Sequence, residues 1–514
     1  MHDTLELHGP GLTIADVVSV ARHGAPVVLG DDARRAMEQS SAVLADLVAG
    51  ASPVYGVTTG FGSLANTVIP VERTAELQVA LVRSHAAGMG PAVETEVVRA
   101  MLLLRARSLA MGFSGARAAL VDLQLELLRN GLTPVVPEHG SLGASGDLAP
   151  LSHCALALIG EGTVVDRAGE AIPTAEALAR AGLRPVVLQA KEGLALINGT
   201  DGILGMLCLT LHDLGELLRL ADVTAAMTVE ALLGTDRAFA ADLQALRPQV
   251  GQAASARNLT RLLKGSEIVA SHRVGDDRVQ DAYSLRCTPQ VHGAALDTIG
   301  HARVIAEREL DAAIDNPMVL PDGRVESCGN FHGAPVALVC DFLAVAVGQV
   351  SAIAERRTDR LLDATRSHGL PPFLAPDAGV NSGLMIAHYT QAAMAMENQR
   401  LAAPASVQSL PTSAMQEDHV SNGWAAARKL RRTVANLRRI LAVELTCAGA
   451  ALDLRAPLRP APGTGAALAA LRARVAGPGA DRWLSPDLAA VEDGLADGAV
   501  LAAVEAAVAP LEVA

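Results

Sequence analysis

Apolar positions recur at helical spacing through most of the chain. Val97, Met101, Leu104 and Leu109 fall on one side of a segment that Arg99, Arg105 and Arg107 interrupt. Val336, Val339, Leu343, Val347, Val350 and Ile353 follow one another at three- and four-residue steps, and another long helix is predicted from Trp424 to about Leu454. Period-two alternation is brief, at 133–136 and 162–165. Turn signals cluster at Pro371-Pro372, at 457–465 (Gly463-Thr464-Gly465 included) and at Gly477-Pro478-Gly479. None of these is long enough for an interdomain linker, and no internal repeat is visible. The pattern predicts an all-α protein, a large bundle of long buried helices with functional loops between them. It reads as one unit over 1–514, with an N-terminal part at 1–200, a central long-helix bundle at 201–455 and a C-terminal helical part at 456–514.

Composition narrows this picture. Half of the 514 residues are hydrophobic but only 2% are aromatic, so the core must be built from Ala, Leu and Val, which suits closely packed helices. Tyrosine is scarce: Tyr55, Tyr283 and Tyr389 are the three in the chain, and two of them fall in the motifs described below. The net charge of −13, from 42 basic and 55 acidic residues, argues against nucleic acid or an anionic membrane as a partner. A local basic run, Arg428-Lys429-Leu430-Arg431-Arg432 with Arg438-Arg439, lies on the predicted long helix and reads as a solvated face or as partners for carboxylates. Cysteines 154, 208, 287, 328, 340 and 447 are scattered with no Cys-x-x-Cys pair, as expected of free thiols in a reducing compartment. The start, Met1 to Glu6, has neither a basic leader nor an apolar core, so no signal peptide and a cytoplasmic location are expected. Segment 333–354 is apolar enough to raise a membrane span, but Asp341, Gln349 and the exit into Glu355-Arg356-Arg357 favour a buried helix.

The candidate chemistry centres on Gly140-Ser141-Leu142-Gly143-Ala144-Ser145-Gly146-Asp147-Leu148-Ala149-Pro150-Leu151-Ser152-His153. If the chain bends tightly here, the Gly146 amide nitrogen can attack the Ala144 carbonyl carbon. Ring closure with loss of two waters leaves an exocyclic methylene where the Ser145 hydroxyl was. The product, 4-methylidene-imidazol-5-one, is a carbon electrophile that no ordinary side chain supplies. Glycine at the attacking position avoids a Cβ that would crowd the closure. Ala-Ser-Gly alone reads as a small-residue turn before a helix starting near Leu148; its surroundings change that reading.

The longer run resembles the aromatic amino-acid ammonia-lyases, and six further segments agree in the family's order. They are Tyr55-Gly56-Val57-Thr58-Thr59-Gly60-Phe61-Gly62, Ser84-His85-Ala86-Ala87-Gly88, Lys191-Glu192-Gly193-Leu194-Ala195-Leu196-Ile197-Asn198-Gly199-Thr200, Val279-Gln280-Asp281-Ala282-Tyr283-Ser284-Leu285-Arg286-Cys287, Gly329-Asn330-Phe331-His332-Gly333 and Gln416-Glu417-Asp418-His419-Val420-Ser421. The resemblance implies an ammonia-lyase/fumarase-like fold and a homotetramer whose active sites draw loops from three subunits. It also implies the methylidene-imidazolone formed autocatalytically from Ala144-Ser145-Gly146. No metal or nucleotide motif stands beside it: His-Glu-x-x-His, Gly-Lys-Thr and a dinucleotide Gly-x-Gly-x-x-Gly context are all missing from the sequence.

An α-amino acid can lose ammonia if an electrophile adds either to its amine or to its ring; the motif is the same for both routes. By resemblance Tyr55 takes the β-proton, a role that needs surroundings favouring a phenolate, since tyrosine ordinarily titrates near pH ~10. Arg286 would hold the substrate carboxylate with its planar fork. Asn198 and Gln280 would donate hydrogen bonds to the imidazolone oxygen or the carboxylate, Tyr283 would lie beside the methylidene, and Phe331 would pack on the prosthetic group or the substrate ring. Glu417 would accept an imidazole N–H while His85 meets the far end of the ring, and the pair points to L-histidine, with trans-urocanate and ammonia as products. Three positions depart from the family pattern: Asn422, Met415, and His292, which stands where a small apolar residue is usual. A tyrosine ammonia-lyase or aminomutase of secondary metabolism, and a non-catalytic tetrameric amino-acid-binding paralogue, stay open as alternatives.

Overall fold

The computed structural model describes residues 4–50 and 54–513, as helices joined by loops and by strands of two to four residues. Packing divides the chain into two units. The first takes 1–212, 303–341 and 404–428; the second takes 213–302, 342–403 and 429–514.

In the first unit, α1 (Ile14–His23) starts at a capping box in which Thr13 and Asp16 bond each other's backbone N–H, and it stops at Gly24 with φ +69°. Helices α2 (Thr74–His85), α3 (Thr95–Ala110), α4 (Ala118–Asn130), α5 (Leu148–Leu158) and α6 (Glu192–Ile197) follow. Helix α3 packs on α1 and α4. Its three arginines, which interrupt the apolar pattern, are buried with the rest of the helix. Arg99 donates to the carbonyls of Ala21 (3.0 Å), Val20 (2.9 Å) and Leu128 (3.2 Å), closing the C-terminal ends of α1 and α4. Arg105 donates to the Asn198 and Ile314 carbonyls, each at 2.8 Å. The guanidinium groups thus satisfy loop and helix-end carbonyls inside the unit. Helices α2, α5 and α6 pack against one another, and each places a polar residue of the motif segments at one end. His85 closes α2, Asp147 precedes α5, and Asn198 follows α6.

Helix α7 (Asp201–Ala231) is the first of four long helices that each carry residues of both units, and it is followed by α8 (Val250–Leu263) and the single turn α9 (Tyr283–Arg286), both in the second unit, and by α10 (Thr288–Leu310). Then come α11 (Ala334–Leu362), α12 (Met385–Leu401), α13 (Gly423–Asp453), α14 (Pro462–Arg472) and α15 (Ala499–Val508). Inside this unit Glu444 of α13 accepts from Arg357 of α11 (3.0 Å) and Thr224 of α7 (2.7 Å), with all three side chains buried. A buried charge placed this way needs its partners, and losing one would cost several kcal/mol, about 3–5.

The predicted elements at 336–353 and 424–454 are α11 and α13, and the helix expected after Asp147 is α5. Alternation at 133–136 and 162–165 corresponds to strands Thr133–Pro134 and Thr163–Val165, which pair antiparallel. One expectation is corrected. The turn read at 457–465 ends at Ala461, and Gly463-Thr464-Gly465 is the first turn of α14. Pro462 sits at its start, where the fixed φ of proline suits a helix. Gly463 is there for space, since a Cβ would stand 2.9 Å from Val508 of α15. The basic run on α13 does meet carboxylates: Arg428 bonds Glu94 and Glu138, Arg432 bonds Glu397, and Arg439 bonds Glu492. Among the described residues α11 is the helix long and apolar enough to cross a membrane. Val336, Val339, Leu343, Val347 and Val350 on it are buried, whereas Leu338, Phe342, Val345 and Gln349 form an exposed stripe. The six cysteines are free thiols, four of them buried.

Candidate active site

Glycines shape the turn that carries Ala144, Ser145 and Gly146. The Gly143 carbonyl accepts the Gly146 N–H at 3.2 Å. Gly143, Ser145 and Gly146 all adopt positive φ, at +97°, +49° and +81°. For serine that conformation costs ~1 kcal/mol. The turn is closely packed on either side of it: a Cβ on Gly146 would stand 2.1 Å from the Gly199 carbonyl oxygen and one on Gly143 would stand 2.3 Å from Ser421 Oγ. Asp147 locks the far side. Its N–H donates to the Gly199 carbonyl at 2.7 Å, and its Oδ2 accepts the N–H groups of Gly202 (2.8 Å) and Ile203 (3.0 Å) at the start of α7. A carboxylate is welcome at a helix N-terminus, yet full burial pushes the Asp147 carboxyl up to about 7. A bend that turns the Gly146 nitrogen inward, with serine forced into the left-handed region, is what closure between residues 144 and 146 requires. The residues present therefore fit a methylidene-imidazolone.

The Tyr55 loop, the end of α2 and the 412–417 loop converge in the same unit. The Tyr55 ring meets Phe61 edge-on at 6.4 Å, and its oxygen accepts the Gly62 N–H at 3.2 Å. A Cβ on Gly62 would lie 2.3 Å from Ser413 Oγ and 3.7 Å from Glu417 Oε1, so only glycine brings these loops together. Thr412 and Glu417 exchange backbone hydrogen bonds (2.9 and 3.3 Å), and the Thr412 hydroxyl donates to Glu417 Oε2 at 3.0 Å. The other carboxyl oxygen, Oε1, faces the Tyr55 loop. His85 Nδ1 lies 2.9 Å from the Leu81 carbonyl, so the proton sits on Nδ1 and Nε2 is an acceptor. Burial pushes the His85 pKa down, against smaller opposing effects of the Leu81 bond and the nearby Glu417.

Asn198 differs from its expected role. Both of its amide N–H groups are engaged, by Asp315 Oδ1 (3.0 Å) and the Asn316 carbonyl (2.8 Å), and its own Oδ1 is buried with no partner among the described residues. What it can offer is an acceptor, not the donor expected from the sequence. Asp315 also holds the buried ammonium of Lys191 at 2.5 Å, against the burial that works to lower the lysine's pKa. Phe331 is half-buried beside His332, whose ring stacks on His419 at 5.7 Å, two residues from Glu417.

Gln280, Tyr283 and Arg286 belong to the second unit. Gln280 is exposed, and Tyr283 is 71% exposed although it is one of only three tyrosines. The Arg286 guanidinium carbon lies 4.6 Å from the centroid of the Tyr283 ring, and its Nε donates to the Asp281 carbonyl at 2.9 Å, which leaves its two terminal nitrogens as a fork. The structure thus brings Tyr55, His85, Ala144, Ser145, Gly146, Asn198, Phe331 and Glu417 into one unit and places the other three in the second. Residues that support the site without having been singled out are Asp147, Lys191, Thr412 and Asp315. The first two lie inside the motif segments, where a charged residue among small and apolar ones is a usable signal. Asp315 carries no such local mark.

A sequence profile described as aromatic amino acid lyase matches residues 12–473, and the chain belongs to that family. It is 58% identical over 512 residues to the histidine ammonia-lyase of Streptomyces coelicolor and 56% identical over 512 residues to that of Streptomyces avermitilis, covering 99% of this chain and 100% of each relative. Among solved structures it is similar to the tyrosine aminomutase from Streptomyces globisporus (TM-score 0.94, 36% identity, 100% of both chains). It is also similar to the histidine ammonia-lyase from Trypanosoma cruzi (TM-score 0.91, 39% identity, 98% of this chain and 96% of that one).

Proposed function

We propose that this protein removes ammonia from L-histidine without oxidation, giving trans-urocanate, as the first step of histidine degradation. Residues 1–514 act as one ammonia-lyase unit, cytoplasmic and assembled as a homotetramer with shared sites. The observation that carries the reading is the polar end wall. His85, held neutral by burial with Nε2 free, stands with Glu417 in the unit that holds the serine turn. Two acceptors suit a ring that bears N–H and leave a plain phenyl ring facing unpaired polar atoms. The names of the relatives at 56–58% identity support the same choice of ring.

The prosthetic group that Ala144, Ser145 and Gly146 would form supplies an electrophilic carbon able to draw electrons from the substrate. The chain's own residues do the rest. Arg286 anchors the carboxylate through its free fork. Asn198 Oδ1, orphaned and buried, accepts an N–H of the substrate amine, and Gln280 adds a donor to the carboxylate. Tyr55 takes the β-proton, and the Gly62 N–H aimed at its oxygen stabilises charge there. Tyr283 and Phe331 cover the reacting atoms and exclude water.

Purified protein incubated separately with histidine, tyrosine and phenylalanine should form a conjugated, ultraviolet-absorbing product from histidine. Its intact mass should fall two waters below that of the sequence, and Ser145→Ala should show the mass of its own unmodified sequence and no turnover. An unmodified wild-type mass, or consumption of tyrosine in preference to histidine, would overturn the reading.

A further inference from the structure

A buried polar network in the second unit reaches the segment that carries Arg286. On α10, six residues beyond Arg286, His292 is fully buried, and its Nδ1 lies 2.8 Å from Asp222 Oδ1 on α7. The same oxygen accepts the Ser255 hydroxyl at 2.7 Å, and Asp222 Oδ2 accepts the Asn258 amide at 3.0 Å, both from α8. Asn258 in turn exchanges hydrogen bonds with the backbone of Glu512 (3.0 and 2.8 Å), and the Glu512 carboxylate is paired with Arg257 at 2.6 Å. Among the described residues His292 Nε2 is buried without a partner. An imidazole costs more to bury than the apolar side chain this core could hold there, and one of its nitrogens remains unsatisfied. Its directed bond to Asp222 is what it adds.

That bond is one of two fixings of segment 278–292, one to α7 and one to the turn that follows α7. At the front, Asp281 Oδ2 accepts the Thr235 N–H at 2.7 Å, just past the end of α7, and Arg278 bonds the carbonyls of Leu232 and Leu233. At the rear, His292 ties the second turn of α10 to Asp222, thirteen positions earlier than Thr235 in the chain. Between the two fixings stand the exposed Gln280 and Tyr283 and the half-buried Arg286. Beside the rear fixing, Gly293 touches α8 so closely that a Cβ would lie 2.2 Å from the Gln252 nitrogen. The glycine contact sets how near α10 comes to α8. Gly251 of α8 also donates its N–H to Asp297 of α10 at 2.8 Å, and the His292 bond to Asp222 adds a second directed tie, to α7, against rotation of α10 about its own axis.

We infer that the Asp222–His292 bond, braced by Ser255 and Asn258, is a positioning device that, together with the Gly251–Asp297 bond, sets the rotation of α10 and so aims the Arg286 fork at the substrate carboxylate. The inference rests on the proposed role of Arg286. His292 touches no substrate and acts through the helix.

Three variants of the full-length protein test it: His292→Leu, which keeps bulk and removes the donor; His292→Asn, whose amide can replace Nδ1; and the milder Ser255→Ala. The carboxylate grip is made equally in ground and transition states, so His292→Leu should raise KM for L-histidine about tenfold and change kcat less than about twofold. His292→Asn should restore KM to within about threefold, and Ser255→Ala should raise it about twofold. In an Arg286→Lys background the His292→Leu penalty should shrink to about twofold or less, because the group it aims is no longer a fork. Hydrogen exchange supplies a readout independent of turnover: the Arg286 and Cys287 amides, bonded to the Ala282 and Tyr283 carbonyls, should exchange faster in His292→Leu. An unchanged KM in both His292→Leu and Ser255→Ala, an equal penalty in the two backgrounds, or unchanged exchange at 286–287 would overturn the inference. Wild-type protein inert towards L-histidine would overturn the proposed function instead. The exchange experiment, and KM for whichever amino acid is consumed, would still decide the role of His292, since every α-amino acid presents the same carboxylate.

Discussion

In the proposed function, substrate choice turns on Glu417. Thr412 holds one of its oxygens and the other faces the Tyr55 loop, so Glu417→Gln keeps the shape and replaces an acceptor by a donor. A charge-assisted hydrogen bond to a buried group contributes about 1.5–3 kcal/mol, so kcat/KM for histidine should fall at least about tenfold, with melting temperature little changed. An unaltered kcat/KM would remove Glu417 from the ring-binding wall. His85→Phe should shift preference from histidine towards phenylalanine in a competition assay, because it deletes the Nε2 acceptor. Residues of this kind became candidates in the sequence because the family resemblance marked them and the chemistry suits their types: a serine between small residues, a tyrosine, an arginine, a carboxylate. The atom each one offers was not legible. Asn198 reads as a donor until Asp315 and Asn316, more than 110 residues further on, are seen to occupy its amide hydrogens.

Among elements, the join between the serine turn and α7 carries a pH signature. Asp147 is pushed from an ordinary 3.8 up to about 7 by burial. A carboxyl whose folded pKa lies above its unfolded value binds its proton more tightly in the folded state, so its stabilising effect is present at low pH and fades as pH rises to about 7. In a Ser145→Ala background, adding Asp147→Asn removes this titration. The melting temperature of the double variant minus that of Ser145→Ala should therefore rise between about pH 4.5 and 7 and level off above. A difference that stays flat with pH would mean that Asp147 is an ordinary carboxylate. Helical spacing revealed two of the four long helices, α11 and α13, and the brief alternations revealed two of the strands. It misread 457–465, because Pro and Gly mark a helix start as readily as a turn when a neighbouring helix leaves no room for a Cβ. It also left the arginines of α3 without a destination, since the carbonyls they serve come from other elements.

At the scale of the whole molecule, the sequence names eleven site residues but not their division: Ser145 lies in one packed unit and Tyr283 in the other. If a homotetramer shares its sites, subunits carrying Ser145→Ala and subunits carrying Tyr283→Phe, each inactive alone, should regain activity when exchanged. About a quarter of the sites in an equal mixture would then carry both native residues, if the two come from different chains. Verified exchange with no recovery would place both residues of a site on one chain. The stripe of Leu338, Phe342 and Val345 on α11, 56%, 51% and 42% exposed, bears on the same question. A surface of that kind is unfavourable in water. If the contact that covers it also completes the sites, dilution would both expose the stripe and dismantle them. Specific activity would then depend on protein concentration, and the enzyme's turnover would serve as a gauge of its own assembly.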